Sequence, residues 1–165
     1  SHPAFEEAAQ KVADRIKSLK NINGTQTVES FHKRLGKIIW DKCGMARSAE
    51  GLKQAIVEVQ ALKKEFWSDV RIPGEINEFN PELDKANRVA DFIELGELMC
   101  IDALNRNESC GGHFREEMQT PEGETLRDDT NFSHVAAWEF MGDKPKLHKE
   151  PLSFEFAHIA QRNYK

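Results

Sequence analysis

The residues best suited to chemistry lie in one glycine-containing segment, at positions 108–116. The adjacent Gly111 and Gly112 allow a close backbone approach, and His113 and Arg115 could present a proton donor and a cation together. Such a loop could hold an anionic group. Cys110 beside His113 also suggests a thiolate paired with a base, although the sequence assigns no further member of a nucleophilic triad.

A second interpretation of this segment is purely structural. Gly111 and Gly112 would then end a preceding helix in a left-handed cap, while His113 and Arg115 bond nearby carbonyls and acids. Paired glycines are a weak signal by themselves, so the sequence leaves both interpretations open.

Two Glu-x-x-His pairs have the spacing found in di-iron carboxylate bundles, namely Glu29 with His32 and Glu155 with His158. Two more glutamates could complete such a site: Glu94 and Glu97. Around Glu155, however, apolar residues alternate with a period of two, which would not place that pair on one helical face. There is also no phosphate-binding GxGxxG or GxxxxGK(S/T) sequence. We therefore assign no catalytic, cofactor-binding or metal-ligating residue.

Composition narrows the class of protein. A chain of 165 residues is long enough for one domain of ordinary size. Its 23 basic and 28 acidic residues give a net charge of -5, which argues against nucleic acid as a partner. Charges interrupt every apolar run, so we predict no membrane span. Three cysteines without CxxC spacing predict neither a disulfide framework nor a zinc knuckle, and they fit a reducing compartment.

Four amphipathic helices must position the segment. Apolar spacing and capping residues predict them over residues 3–20, from a cap at Thr25 or Thr27 to Gly44, from Ser48 to about 68–70, and over 81–107 after a cap at Asn80. The fourth is the longest and carries more than one apolar stripe, so we expect it to be central and covered on two sides. Short loops favour antiparallel neighbours.

The composition changes after the fourth helix. Residues 132–140 and 152–156 could be short strands, and the many aromatic residues nearby predict a surface that needs a partner. The predicted fold is therefore mainly α: an antiparallel bundle with a three-helix, spectrin-repeat-like core plus an N-terminal helix, and an irregular C-terminal extension containing short β-strands. We place the bundle at 1–108 and the extension at 109–165. The first residues lack both Met and a secretion signal, so we expect a fragment of a longer protein.

The order of these features resembles the C-terminal region of the succinate dehydrogenase and fumarate reductase flavoprotein subunit. The matching segments are Glu108-Ser109-Cys110-Gly111-Gly112-His113-Phe114-Arg115, Arg127-Asp128-Asp129-x-Asn131-Phe132, Trp138-Glu139, Gly44-Met45-Ala46-Arg47-Ser48, Glu94-Leu95-Gly96-Glu97-Leu98-Met99 and Gln161-Arg162-Asn163-Tyr164. The common family form of the loop has Arg where this chain has Cys110 and Ala where it has Gly112.

The resemblance implies exchange of hydride between FAD and succinate or fumarate in the intact subunit, with electrons passing through iron-sulfur clusters to or from quinone. The fragment itself would hold no cofactor. Its expected partners are the flavin-binding and capping domains of the same subunit, an iron-sulfur subunit and, indirectly, a cytochrome b membrane anchor subunit. We expect the fragment to be soluble and to lie at the cytoplasmic face of the membrane, held there by its partner subunits. Alternatives are the C-terminal domain of L-aspartate oxidase and a free-standing helical interaction module. The candidate interface or functional residues are Cys110, Gly111, Gly112, His113, Arg115, Arg127 and Asp128.

Overall fold

A computed structural model describes residues 2–142 and 144–160 as a helical bundle followed by an irregular extension. The helices are α1 (Pro3–Lys20), α2 (Val28–Cys43), α3 (Ala49–Asp69), α4 (Pro81–Asn105) and the short α5 (Asp129–Phe132). The strands are β1 (Gln26–Thr27), β2 (Ala46–Arg47), β3 (Val70–Arg71), β4 (Phe114–Arg115), β5 (His134–Glu139) and β6 (Lys146–Pro151). The predicted mainly-α fold is confirmed. The resemblance also rested on residues 161–164, which lie outside the described ranges.

The starts of the three core helices agree with the predicted caps. The side chains of Thr27, Ser48 and Asn80 each accept a hydrogen bond from a backbone N–H in the first turn of α2, α3 and α4. Each cap satisfies a donor that a helix N-terminus would otherwise leave without a partner. In the turn after α1, Asn23 takes the left-handed conformation, with a φ of 50°.

Helices α2, α3 and α4 form the core. Arg34, the earlier residue in α2, pairs with Glu65, the later residue in α3. Lys42, later in α2, pairs with Glu58, earlier in α3, so these helices are antiparallel. The largest buried cluster includes Phe31, Phe66 and Ile93, all 0% exposed. Helix α2 can approach α4 closely at Gly96, where an added Cβ would lie 3.3 Å from Leu35. Helix α1 contributes little beyond the buried Leu19.

One stripe of α4 differs from the sequence expectation. The side chains of Phe92, Leu95 and Met99 are 45%, 54% and 44% exposed, so α4 is not covered on both sides over this stretch. The β5–β6 hairpin reaches α4 nearer its C-terminus, where Trp138 Nε1 donates to Asp102 Oδ1 at 2.7 Å. Helix α4 also ends at Asn105, before the predicted end at 107.

Of the two predicted strands in the extension, one is correct. Strand β5 lies within residues 132–140, but the prediction of a strand at 152–156 is wrong. Strand β6 pairs with all of β5, from Lys146 opposite Glu139 to Pro151 opposite His134. Strand β6 ends at Pro151, and residues 152–160 continue as an exposed irregular segment.

Truncation of Ile93 tests the core assignment. Because its side chain is 0% exposed among α2, α3 and α4, Ile93→Ala should lower the free energy of unfolding by about 2 to 5 kcal/mol. Leu95→Ala on the exposed stripe of the same helix is the matched control and should change it by no more than about 0.5 kcal/mol. Denaturant unfolding monitored by circular dichroism measures both, and equal effects of the two variants would contradict the assignment.

Candidate functional site

The segment singled out in the sequence forms a tight turn beside the C-terminal end of α4. The N–H of Cys110 donates to His113 O at 2.9 Å, and the N–H of His113 donates to Cys110 O at 3.0 Å. Gly111 has a φ of +59°, a conformation that glycine adopts without steric cost. No atom lies within 4 Å of a Cβ built on Gly111 or Gly112, so the tip of the turn faces open space. The glycines thus shape this turn and do not cap α4.

Arg115 closes the C-terminal end of α4. Its side chain is nearly fully buried, and its guanidinium donates to the carbonyl oxygens of Ala103, Leu104 and Arg106 at 3.1, 3.3 and 3.4 Å. The last carbonyls of a helix have no partner within the helix and carry its negative dipole end, so a cation there is favourable. The Ser109 hydroxyl fixes the Arg115 backbone by accepting from its N–H and donating to its carbonyl.

Glu117 connects the same loop to the N-terminal end of α3. One carboxylate oxygen accepts from the N–H of Ala49, the first residue of α3, at 2.6 Å, and the other faces Arg115 Nε at 3.3 Å. The hydrogen bond from Ala49 and the charge of Arg115 hold the pKa of Glu117 below its usual value. A negative charge is favourable at a helix N-terminus and a positive charge is favourable at a helix C-terminus. Glu117 and Arg115 therefore form an ion pair in which each charge also stabilises the helix end that it contacts. We call Arg115 and Glu117 the helix-end clamp.

His113 lies inside this network as a neutral ring. Its Nδ1 is 2.8 Å from a guanidinium nitrogen of Arg47, and its Nε2 is 2.8 Å from the carbonyl oxygen of Arg106. A guanidinium only donates and a carbonyl only accepts, so Nδ1 must be bare and Nε2 must carry the proton. Burial, followed by the charges of Arg47, Arg115 and Arg106, lowers the pKa of His113 despite the opposing carbonyl bond.

Glu108 joins the clamp to the remaining candidates. It is 1% exposed, accepts from Arg106 Nε at 2.7 Å, and accepts from the backbone N–H of Asp128 at 2.9 Å. Asp128 in turn caps α5 through Asn131, and the hydrogen bonds from Asn131 lower its pKa. Arg127 pairs with Asp129 at 2.6 Å. One polar network at the outer end of the bundle thus connects Arg47, Arg106, Glu108, His113, Arg115, Glu117 and Asp128, whereas Arg127 forms a separate pair with Asp129.

The polar groups that anion binding or catalysis would require, on His113 and Arg115, already have hydrogen-bond partners within the network. Both ring nitrogens of His113 have partners other than Cys110, so the ring is not placed as a base for that thiol. Arg115 is committed to carbonyls and Glu117. This arrangement corresponds to the structural interpretation of the loop, with His113 and Arg115 bonded to carbonyls and acids.

The two Glu-x-x-His pairs are used in other ways. Glu29 forms ion pairs with Lys85 and Lys33, and the hydrogen bond from Lys85 is the largest cause that lowers its pKa. The ring of His32 packs against Phe92. Glu155 and His158 lie in the exposed segment after β6. Within residues 2–142 and 144–160, no three His, Cys, Asp or Glu side chains gather as a metal site would need.

Comparison with known proteins identifies the family. The model of the fumarate reductase flavoprotein C-terminal region matches residues 32–164. The chain belongs to this family.

Relatives of known name and structure agree with that assignment. A fumarate reductase flavoprotein subunit of Proteus vulgaris is 28% identical over 162 residues, which are 98% of this chain and 26% of that protein. A mutant FrdA of Escherichia coli quinol fumarate reductase superposes with a TM-score of 0.84 at 26% identity, over 98% of this chain and 27% of that one. A quinol-fumarate reductase with menaquinol molecules gives 0.81 at 26% identity, over 96% and 27%. This chain thus spans about a quarter of the length of these relatives.

In this fumarate reductase flavoprotein C-terminal domain, sequence reasoning missed three residues of the network as contributors to the site: Arg47, Arg106 and Glu117. Arg47 is 66 positions from His113, and Ala49 is 68 positions from Glu117. Polar contacts at such separations leave no periodic signal in one sequence. The one available hint was Arg47, which lay in a segment that carried the family resemblance.

Removal of the Arg115 guanidinium tests the helix-end clamp. Arg115→Met should lower the free energy of unfolding by roughly 2 to 3 kcal/mol, because carbonyls at the end of α4 lose a charged donor. Arg88→Met removes the exposed Arg88–Asp84 pair on the same helix and should cost less than about 1 kcal/mol. Denaturant midpoints measure both. Equal costs in the two variants would show that the guanidinium does not support the bundle.

The neutral state of His113 predicts a dependence of stability on pH. Below the ordinary histidine value of 6.5, the unfolded chain binds a proton that the folded ring resists, so stability should fall as the pH is lowered through that value. Glu117 and Asp128 have depressed pKa values and lose their contributions only in a more acidic range. Urea midpoints at about pH 7.5 and about pH 5.5 should therefore differ more for the wild type than for His113→Gln. An equal change in both proteins would contradict the neutral-ring assignment.

Proposed function

We propose that this chain is the helical and C-terminal portion of a flavoprotein subunit that interconverts succinate and fumarate and exchanges electrons with quinone. The observation that carries the proposal is the family match over residues 32–164, together with relatives named fumarate reductase flavoprotein subunits. In this proposal, direct hydride exchange with the substrate is the chemistry that FAD supplies when bound to the intact subunit.

The described residues support a position for FAD outside this chain. Dinucleotides are held at free helix N-termini after a glycine-rich turn. Here the N-termini of α2, α3 and α4 are already capped by the chain's own side chains. Among residues 2–142 and 144–160, no element has the glycine-rich strand-to-helix geometry that would cradle a pyrophosphate. We therefore derive no catalytic step on these residues.

We propose a structural and interface-forming role for the chain, with a bundle at 1–108 and an extension at 109–165. The helix-end clamp supports the bracing part of this role, because it fixes the extension to α3 and α4 by charged contacts. In the role proposed, the tip of the turn consists of Cys110, Gly111 and Gly112. The base of the turn is held by His113 and Arg115.

The exposed apolar surface supports the interface. Phe140, Phe154 and Phe156 in the extension are 79%, 50% and 93% exposed. A groove of about 730 Å³ also lies between the hairpin and the outer faces of α3 and α4, with Trp67, Leu98 and Trp138 among its lining residues. Apolar surfaces of this kind mark sites of protein contact.

The partners proposed for this surface are the flavin-binding and capping domains of the same subunit and an iron-sulfur subunit. A cytochrome b subunit would anchor the assembly indirectly, at the cytoplasmic face of the membrane. No helix among residues 2–142 and 144–160 is long and apolar enough to cross a membrane.

Immunocapture from the source cells tests the function. An antibody against this chain, applied to detergent-solubilised membranes, should capture a polypeptide that contains its peptides, carries flavin fluorescence and reduces an electron-acceptor dye when succinate is added. The purified 165-residue chain, mixed with FAD and filtered, is the control and should retain no flavin. A captured polypeptide without flavin or succinate-dependent activity would contradict the proposed function. A purified chain that binds FAD would contradict its placement elsewhere.

A further inference from the structure

Two buried thiols meet at the interface of α2 and α4. Cys43 is the last residue of α2 and is 3% exposed, while Cys100 lies in α4 and is 0% exposed. Both belong to one small buried cluster with Leu52, Ala55 and Ala103, and both are free. The two thiols are close enough for each to shift the pKa of the other.

The packing of α2 on α4 explains this proximity. Ile39, one turn before Cys43, packs against Gly96, one turn before Cys100. Because Gly96 has no side chain, an added Cβ there would be only 3.4 Å from Ile39 Cδ1. The two helices are therefore in contact one turn before the cysteines. A short separation between backbones is the main geometric requirement for a disulfide.

The surroundings also distinguish the two sulfurs. The hydrogen bond from Cys100 lowers the pKa of Cys43 to about 7, and the charge of Arg47 acts in the same direction. The same hydrogen bond, together with burial, raises the pKa of Cys100. A thiolate is the reactive form of cysteine. Cys43 ends α2 whereas the 0% exposed Cys100 lies within α4, so Cys43 is the thiol that a reagent reaches first.

We propose that Cys43 and Cys100 form a redox-active dithiol that closes into a disulfide on reaction with a hydroperoxide. The Cys43 thiolate attacks the peroxide oxygen and becomes a sulfenic acid, and the O–O bond breaks to release water after protonation. Cys100 then attacks the Cys43 sulfur, forming the S–S bond and releasing a second water. In total the two thiols lose two electrons and two protons, and hydrogen peroxide becomes two waters. A small dithiol reductant restores the two thiols by thiol–disulfide exchange and is itself oxidised to a disulfide.

Access to the buried pair is through the end of α2. Cys43 is followed by Gly44 and then by Met45, whose side chain is 89% exposed. Helix ends open locally at lower cost than helix centres, so fraying of the last turn admits a small peroxide. Arg47 in the following strand β2 also holds His113, so the disulfide would form next to the polar network.

Peptide mapping of the oxidised chain tests the proposal. The 165-residue chain is treated with a small excess of hydrogen peroxide, alkylated to block remaining thiols, and digested without reduction. We expect a linked Cys43–Cys100 peptide two hydrogens lighter than its parts, formed within the monomer and lost after treatment with dithiothreitol. The half-buried Cys110 is the internal reference thiol.

Matched variants define the remaining outcomes. Cys110→Ser should yield the same linked peptide as the wild type, whereas Cys43→Ser and Cys100→Ser should yield none. The wild-type map decides the question by itself if either of the last two variants fails to fold. The proposal is overturned if Cys43 and Cys100 stay reduced, and are therefore alkylated, under conditions that oxidise Cys110. It is also overturned if they are overoxidised without forming a link, or if the link involves Cys110. These outcomes do not depend on the proposed succinate and fumarate chemistry.

Discussion

The contact between Arg115 and the last carbonyls of α4 is the constraint on which the outer end of this domain depends. Helix α4 stops at Asn105 without a glycine cap, so its final carbonyls need donors from elsewhere. A side-chain guanidinium inserted from the following loop provides them. The same loop also places Glu117 on the first N–H of α3. The Arg115–Glu117 ion pair therefore links the C-terminal end of α4 to the N-terminal end of α3.

This constraint determines the character of the conspicuous glycine-containing loop. A buried cation is costly unless its hydrogen-bonding positions are filled, and here carbonyls and a carboxylate fill them. His113 is then neutral, because its burial and the charges of Arg47, Arg115 and Arg106 lower its pKa. A histidine and an arginine that suggested catalysis in the sequence thus serve to position helices. In this family member the chemistry belongs, in our proposal, to the part of the subunit that carries FAD.

Local physics made much of the bundle predictable. Thr27, Ser48 and Asn80 are capping residues recognisable from sequence, and the apolar spacing of each helix selects its buried face. The loop was harder, because Arg47 and His113 meet across 66 positions with no period to reveal the contact. The tail at 152–156 was misjudged because its alternating aromatics resemble a strand, whereas the strand that pairs with β5 is β6, which ends at Pro151. Alternation alone does not show that a segment pairs with another.

Hydrogen exchange across the domain tests most directly the claim that the clamp makes the loop part of the bundle while the tail requires a partner. In the chain alone, the bonded amides of Ser109, His113 and Arg115 should exchange nearly as slowly as those in the centre of α4. Amides of residues 153–160 should exchange rapidly and become protected in the assembled oxidoreductase. Loop amides that exchange as fast as the tail, or a tail equally protected with and without its partners, would contradict the account.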